Sequence, residues 1–185
     1  MTKPIILIFG GSRGAARINQ AVVDAYPELV TRDYQVIFAT GESYYDSISA
    51  QLDAIAPFKH NPHFVVRPYI HDMIEVLRHT SIIISRSGAT TIAEITVLGI
   101  PSILIPSPNV TEDHQTKNAM SLVNHQAAVL LKEDQVSGQS LLAQMDHLMN
   151  NSSARQAMGE RALELGEPYA TDQLIQVMLD EIKIK

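Results

Sequence analysis

Gly10, Gly11, Ser12, Arg13 and Gly14 follow directly on the apolar run Ile5–Phe9 and lead into a helical pattern. Glycines between a strand and a helix let the backbone approach an anion closely. Ser12 adds a hydroxyl, and the helix that follows directs free N–H groups outward. The chemistry this suits is phosphate binding by the main chain. The spacing is not G-x-G-x-x-G, and no Gly-Lys-Ser/Thr follows. No acidic residue closes the next apolar run, which passes through Ala39 and Thr40 to Gly41. These features argue against NAD, FAD and a P-loop nucleotide. A tight strand–helix turn explains the glycines of this loop equally well when it is taken alone.

A second stretch, "SRSGATTIAEITVLGIP", begins at Ser85. Ser87 or Gly88 can open a helix there, and Gly99 followed by Pro101 ends it. The helix N-terminus suits a diphosphate. Glu94, one turn further in and on the same face as Thr90, suits a vicinal diol, because its two oxygens can accept from both hydroxyls. Ile92, Ile95 and Leu98 form the buried stripe of the same helix. The plainer reading makes Glu94 a solvated helix residue.

A proline-containing loop then leads to His114, Gln115 and Asn118 at another helix start, with Asp113 placed to cap it. The Gln115 amide suits sugar hydroxyls, and His114 reads as a polar contact rather than a base. In "RPYIHDM", Tyr69 and Ile70 can lie beside a flat base whose edge the Ile70 backbone reads, although core packing accounts for the isoleucine as well. The seven histidines, His60 among them, show no ligand spacing, and there is no Asp-x-Asp pair. No metal is expected.

Composition narrows the field further. The 185 residues carry a formal net charge of -6 without a Lys/Arg cluster, which argues against nucleic acid as a partner. Cysteine is absent, so disulfides and thiolate chemistry are excluded and a reducing cytoplasm fits. No apolar run approaches the ~20 residues of a membrane-spanning helix. The opening Met-Thr-Lys-Pro lacks the order of a signal peptide.

The elements that must position these loops alternate along the chain. Strands are predicted at residues 5–9, 34–39, 64–67, 81–85, 102–105 and 127–131. Helices are predicted at 15–29, 43–55, 73–78, 90–98 and 115–124. After Val136 three helical stretches follow, at 138–150, 153–165 and 170–182. This order predicts an α/β fold, a doubly wound parallel sheet with a helical C-terminal end, as one domain over residues 1–185. Runs such as "IILIF" and "SIIIS" are apolar throughout, as expected of strands covered on both faces. In such sheets ligands bind at the carboxyl ends of the strands near a topological switch point. All the loops singled out above follow strands.

Together, "GGSRGA", "YIHDM", "RSGATTIAE", "GIPSILIP" and "DHQTKNA" resemble the C-terminal half of the MurG family, from about Ile5 to the last helix. The resemblance implies the donor-binding half of a two-domain GT-B glycosyltransferase. Such an enzyme moves N-acetylglucosamine (GlcNAc) from UDP-GlcNAc to a lipid-linked muramyl-pentapeptide in peptidoglycan synthesis, as a peripheral enzyme on the inner face of the cell membrane. It further implies that Ser12 contacts the donor phosphate and that Ile70 meets uracil through its backbone. Ala89, Thr90 and Thr91 present the helix N-terminus to the diphosphate, Glu94 holds the ribose hydroxyls, and Gln115 recognises the GlcNAc hydroxyls. Where some members have Gln-Gln, this sequence has His114-Gln115. The family's N-terminal half, which carries the acceptor site, is absent from this sequence. The catalytic base is expected there, so no catalytic residue is named, and this chain alone is expected to bind donor and transfer nothing. Two alternatives are a UDP-sugar-binding subunit of a two-chain transferase and a fragment related to UDP-GlcNAc epimerases.

Overall fold

The computed structural model describes residues 3–59, 61–108 and 113–183; His60 and residues 109–112 of the proline-containing loop lie outside them. Six strands, β1 Ile5–Phe9, β2 Gln35–Ala39, β3 Phe64–Arg67, β4 Thr80–Ser85, β5 Ser102–Leu104 and β6 Val129–Leu130, form one sheet. Its order is β3-β2-β1-β4-β5-β6, with each neighbouring pair parallel. Between the strands run α1 Ala16–Leu29, α2 Glu42–Ile55, α3 Met73–His79, α4 Ala89–Leu98 and α5 His114–Val123. The helical end comprises α6 Gly138–Met149, α7 Ser152–Glu164 and α8 Ala170–Lys183. The doubly wound architecture predicted above is the one observed, and its boundaries fall within a residue or two at most elements.

Period-two alternation assigns the strand residues to two cores. Ile6, Ile8, Val36, Phe38, Ile82 and Ile84 face one side, where they pack with Ile18 and Val22 of α1, Leu52 of α2 and Leu141 of α6. Leu7, Phe9, Ile83 and Leu104 face the other, against Leu77 of α3, Ile95 of α4, Leu122 of α5 and Ala162 of α7. Most of these side chains are completely buried. Each contributes on the order of 1.5–3 kcal/mol relative to exposure. Because both faces are covered, hydrophobicity in β1 and β4 runs unbroken instead of alternating.

Three expectations are corrected. The last strand is Val129–Leu130 and not residues 127–131, because the Ala127 N–H donates to Leu122 O at the end of α5. Residues 127 and 128 therefore belong to the helix exit, which turns through Gln126 at a positive φ of 55°. In α4 the buried positions are Ile95 and Thr96, Ile92 is partly buried, and Leu98 is 38% exposed. Thr96 lies nearly in line with Ile92 along the helix, whereas Leu98 is rotated off that line. The Thr96 hydroxyl is satisfied inside the helix by the carbonyls of Ile92 and Ala93. Asp113 does not cap α5 with its side chain: it sits in the left-handed region at φ 52°, and its carboxylate accepts from Thr116 Oγ1 at 2.6 Å.

Candidate functional site

Strand order reverses between β1 and β4, so the loops leaving their carboxyl ends diverge and leave a crevice. The β1–α1 loop forms one wall. Its tip, Ser12–Arg13, is closed by the Gly14 N–H donating to Gly11 O at 3.0 Å. Gly14 adopts φ +74°, and a Cβ there would lie 2.1 Å from the Thr40 carbonyl oxygen. This glycine docks the loop on the end of β2, where Asn19 of α1, 1% exposed, donates from Nδ2 to Thr40 O at 2.9 Å. The simple turn reading thus holds for part of the loop. It holds for Gly11 as well, through a backbone angle of φ +86° and not through crowding, since a Cβ there would meet nothing within 4 Å.

The N-terminus of α4 forms the opposite wall. Gly88 is its N-cap, at φ -64° and ψ 152°, and no side chain caps it. The first bond of the helix runs from the Ile92 N–H to Gly88 O, so the N–H groups of Ala89, Thr90 and Thr91 precede the intrahelical ladder. α6 and α7 differ: Ser137 caps the first by accepting from the Ser140 N–H, and Asn151 caps the second by accepting from the Ala154 N–H. A Cβ on Gly88 would also meet nothing within 4 Å. Neither the backbone angle nor any neighbour requires glycine there.

Between the walls lies a cavity of about 430 Å³, lined by Ser12, Ile70, Ala89, Thr90, Thr91 and Glu94 together. Gly11, Gly88, Tyr69 and Met73 complete much of its rim. Ile70 is 8% exposed and belongs to the core below, as the packing reading expects, while it also reaches the cavity lining. Tyr69 is 45% exposed and meets His71 edge-on, with ring centroids 5.1 Å apart. Glu94 is half-buried one turn into α4, and desolvation raises its pKa above the ordinary carboxylate value. That partial burial sets Glu94 apart from a fully solvated helix residue. Chemically, the crevice offers uncapped N–H groups for an anion, an apolar shelf for a flat ring, and a carboxylate deep enough to gain from hydroxyl donors.

Gln115 is not part of this lining. It stands beside it, tied into the wall: its main-chain oxygen accepts from Ser87 Oγ at 2.7 Å, and Asn118 Nδ2 donates to Ser87 O at 3.1 Å. Ser87 is fully buried by these bonds. His114 is exposed at the first turn of the same helix. A second concavity, of about 490 Å³, is lined by Pro106, Pro108, Thr116 and Leu130 among others. Of the residues that the sequence pointed to, it contains Asp113 but none assigned to the ligand.

Arg86 was not singled out from the sequence, and its neighbours Ser87 and Gly88 suggest a phosphate ligand. The structure gives it a different task. Its guanidinium donates to the carbonyls of Ile105 and Pro106, both at 3.1 Å, and to both carboxylate oxygens of Glu133. The side chain is 12% exposed. It joins the ends of β4, β5 and β6, and no local pattern could have announced a partner 47 positions away. Gly88 also escaped notice as a lining residue; the signal was its place before three small residues at a helix start. Among the described residues, no group of three or more His, Asp or Glu side chains could hold a metal ion. Nor is any helix among them long and apolar enough to cross a membrane.

The family model for the glycosyltransferase family 28 C-terminal domain matches residues 5–174. A UDP-N-acetylglucosamine–N-acetylmuramyl-(pentapeptide) pyrophosphoryl-undecaprenol N-acetylglucosamine transferase of Lactiplantibacillus plantarum is 53% identical over 180 residues, 97% of this chain and 49% of that protein. The Bacillus subtilis protein of the same name is 48% identical over 181 residues, 98% of this chain and 49% of its own length. The crystal structure of Acinetobacter baumannii MurG aligns with a TM-score of 0.83 at 27% identity, covering 97% of this chain and 51% of that one. The chain thus spans about half the length of the curated relatives it matches. With the switch-point crevice formed as the sequence required and the match running over nearly all the chain, this protein belongs to the glycosyltransferase family 28 C-terminal domain family.

Proposed function

We propose that this chain is the UDP-GlcNAc-binding half of an N-acetylglucosaminyltransferase that acts on a lipid-linked muramyl-pentapeptide in peptidoglycan synthesis. One observation carries the reading: a glycine loop, an uncapped helix N-terminus, an apolar shelf and a half-buried carboxylate line one cavity at the switch point. In this reading the N–H groups of Ala89, Thr90 and Thr91, with Ser12, take the diphosphate. The Ile70 backbone meets uracil, Glu94 accepts from both ribose hydroxyls, and Gln115 reaches the sugar from beside the cavity. The names of the L. plantarum and B. subtilis relatives support the donor and the acceptor.

The chemistry assigned to this half is departure of UDP. As the glycosidic bond to phosphate breaks, negative charge grows on the diphosphate. Donors fixed at a helix N-terminus stabilise that charge without reorganising. No metal is needed for this step. The base that deprotonates the acceptor hydroxyl is assigned to a second domain, which also brings the enzyme to the inner face of the membrane, where its lipid-linked acceptor resides. Positioning and proton transfer each contribute orders of magnitude.

The 185-residue chain is accordingly expected to bind UDP and UDP-GlcNAc, to ignore NAD, and to transfer no GlcNAc alone. Calorimetry tests the first part; a radiolabelled-GlcNAc assay with a synthetic lipid-linked acceptor, with and without a MurG-type N-terminal half, tests the second. Failure to bind any uridine nucleotide at millimolar concentration, about -4 kcal/mol, overturns the assignment. Turnover without the second half locates the base in this chain, with His114 the first residue to replace.

A further inference from the structure

The ladder between β5 and β6 closes with the Leu131 N–H donating to Leu104 O, and the carbonyls of Ile105 and Pro106 lie past it. Arg86 spans that gap from the end of β4. Its Nη1 donates to both carbonyls, and its two terminal nitrogens hold the two carboxylate oxygens of Glu133. Only a planar fork meets a carboxylate and two carbonyls at once; an ammonium is a single point of charge. Arg86 does not line the crevice cavity. It stands two residues before Gly88, the N-cap of α4, whose N–H groups do line it.

Donors serve an anion best when their direction is fixed before it arrives, because reorientation costs part of the gain. At α4 that fixing comes from behind. No side chain caps the helix, and a Cβ on Gly88 would meet nothing within 4 Å. Ser87 is tied to α5, through its hydroxyl on Gln115 O and through its carbonyl, which accepts from Asn118 Nδ2. Arg86 ties the same turn to the exits of β5 and β6. The far end of α4 is packed against α7 through Gly99 and Leu163. Slack in the Arg86 anchorage therefore displaces the N-terminus of α4 more than the rest of the helix.

We infer that Arg86 and Glu133 are positioning residues for the diphosphate: without touching it, they hold the β4–α4 turn so that the N–H groups of Ala89, Thr90 and Thr91 are aimed before the ligand binds. This role rests on the diphosphate assignment proposed above and deepens it, extending the phosphate-binding apparatus to the exit of β6. A purely electrostatic role for the pair predicts the opposite sign. Neutralising Glu133 removes a negative charge and leaves the Arg86 cation unpaired, which favours an anion nearby. Loosening the turn disfavours it.

The test measures UDP and uridine binding to the 185-residue chain and to two variants, with a melting curve for each. Uridine lacks the diphosphate, so the ratio of the two affinities reports the α4 N-terminus apart from the rest of the crevice. Glu133→Gln is nearly isosteric but sets an NH2 against one guanidinium N–H. It is expected to weaken UDP by about threefold or more, the worth of one net hydrogen bond, and to keep the parent's uridine affinity. Arg86→Lys keeps the charge and loses the fork, and its UDP affinity is expected to fall by about tenfold relative to uridine. A general loss of stability would lower both ligands together. UDP binding by Glu133→Gln at parental strength or above, or equal losses for UDP and uridine, overturns the positioning role and leaves the nucleotide site standing. Glu133→Gln decides the question alone should Arg86→Lys fail to fold. Absence of UDP binding in the parent brings down the diphosphate assignment itself, and the positioning role with it.

Discussion

Glu94 shows at the scale of one residue how burial turns a common side chain into a candidate ligand. Desolvation raises its pKa, so the ligand-free chain holds this carboxylate at a disadvantage. The sign follows: a raised folded pKa contributes stability below the unfolded value, and that contribution is lost as pH rises through the folded value. A diol donating to the charged form pulls the pKa back down. Affinity for uridine, which has no phosphate of its own to titrate, is therefore expected to fall as pH drops through the free-state pKa of Glu94. In Glu94→Gln the profile is expected to be flat, and UDP binding weaker by roughly 1.5–3 kcal/mol. Calorimetry across a pH series reads both; UDP binding by Glu94→Gln at parental strength would remove the ribose contact from the scheme.

Gly88 and Gly14 make the complementary comparison. Alanine at Gly88 is compatible with φ -64° and meets no neighbour within 4 Å, so its melting temperature is expected to match the parent. UDP affinity is expected to fall by tenfold or more, about 1.4 kcal/mol, because the methyl group occupies the approach to the N–H groups. Alanine at Gly14 faces φ +74° and the Thr40 oxygen, so it is expected to lower stability by at least 1–3 kcal/mol. Thermal unfolding and UDP titration of the two variants separate a ligand-facing glycine from a packing one. A destabilised Gly88→Ala would show that the chain itself needs that glycine.

Among the elements, α4 and α8 differ in how firmly they are tied down. α4 is stopped by Gly99 at φ +64°, where a Cβ would lie 2.4 Å from Leu163 Cγ of α7, so its far end is locked while its N-terminus stays open to the crevice. In α8, Leu174, Ile175, Val177, Met178 and Leu179 are all at least 47% exposed. A helix that removes so little apolar surface from water adds little to stability. Ending the chain at Gly166 is expected to shift the melting temperature by less than about 4 °C. A larger drop in a calorimetric scan would mean that α8 stabilises the sheet domain through contacts other than its apolar stripe.

Across the whole molecule, the net charge of -6 has to coexist with the diphosphate site proposed above. Main-chain N–H groups resolve the conflict, because their partial charges are local and independent of net charge. UDP affinity is therefore expected to be the same within twofold in magnesium and in EDTA. A tenfold loss in EDTA, about 1.4 kcal/mol, would put a cation between the phosphates and the helix and replace this account.

The sequence by itself determined the order and type of nearly every element. Unbroken apolar strands and helices bounded by glycine and proline are local signals, read within ten or fifteen residues. It also marked Ser12 and Thr90 beside such boundaries, Ile70 after a strand and Glu94 one turn into its helix, while Ala89 and Thr91 followed from the family resemblance. Only the tertiary structure decided that these six line one cavity while Gln115 stands beside it, since that depends on β1 and β4 being neighbours across 70 residues of chain. It also decided that Thr96 and not Leu98 faces the core, that Asp113 leaves its helix uncapped, and that Arg86 is a brace held by Glu133. Whether a polar group faces a ligand or a distant partner depends on which loops the closed sheet brings together, and that is set by non-local packing.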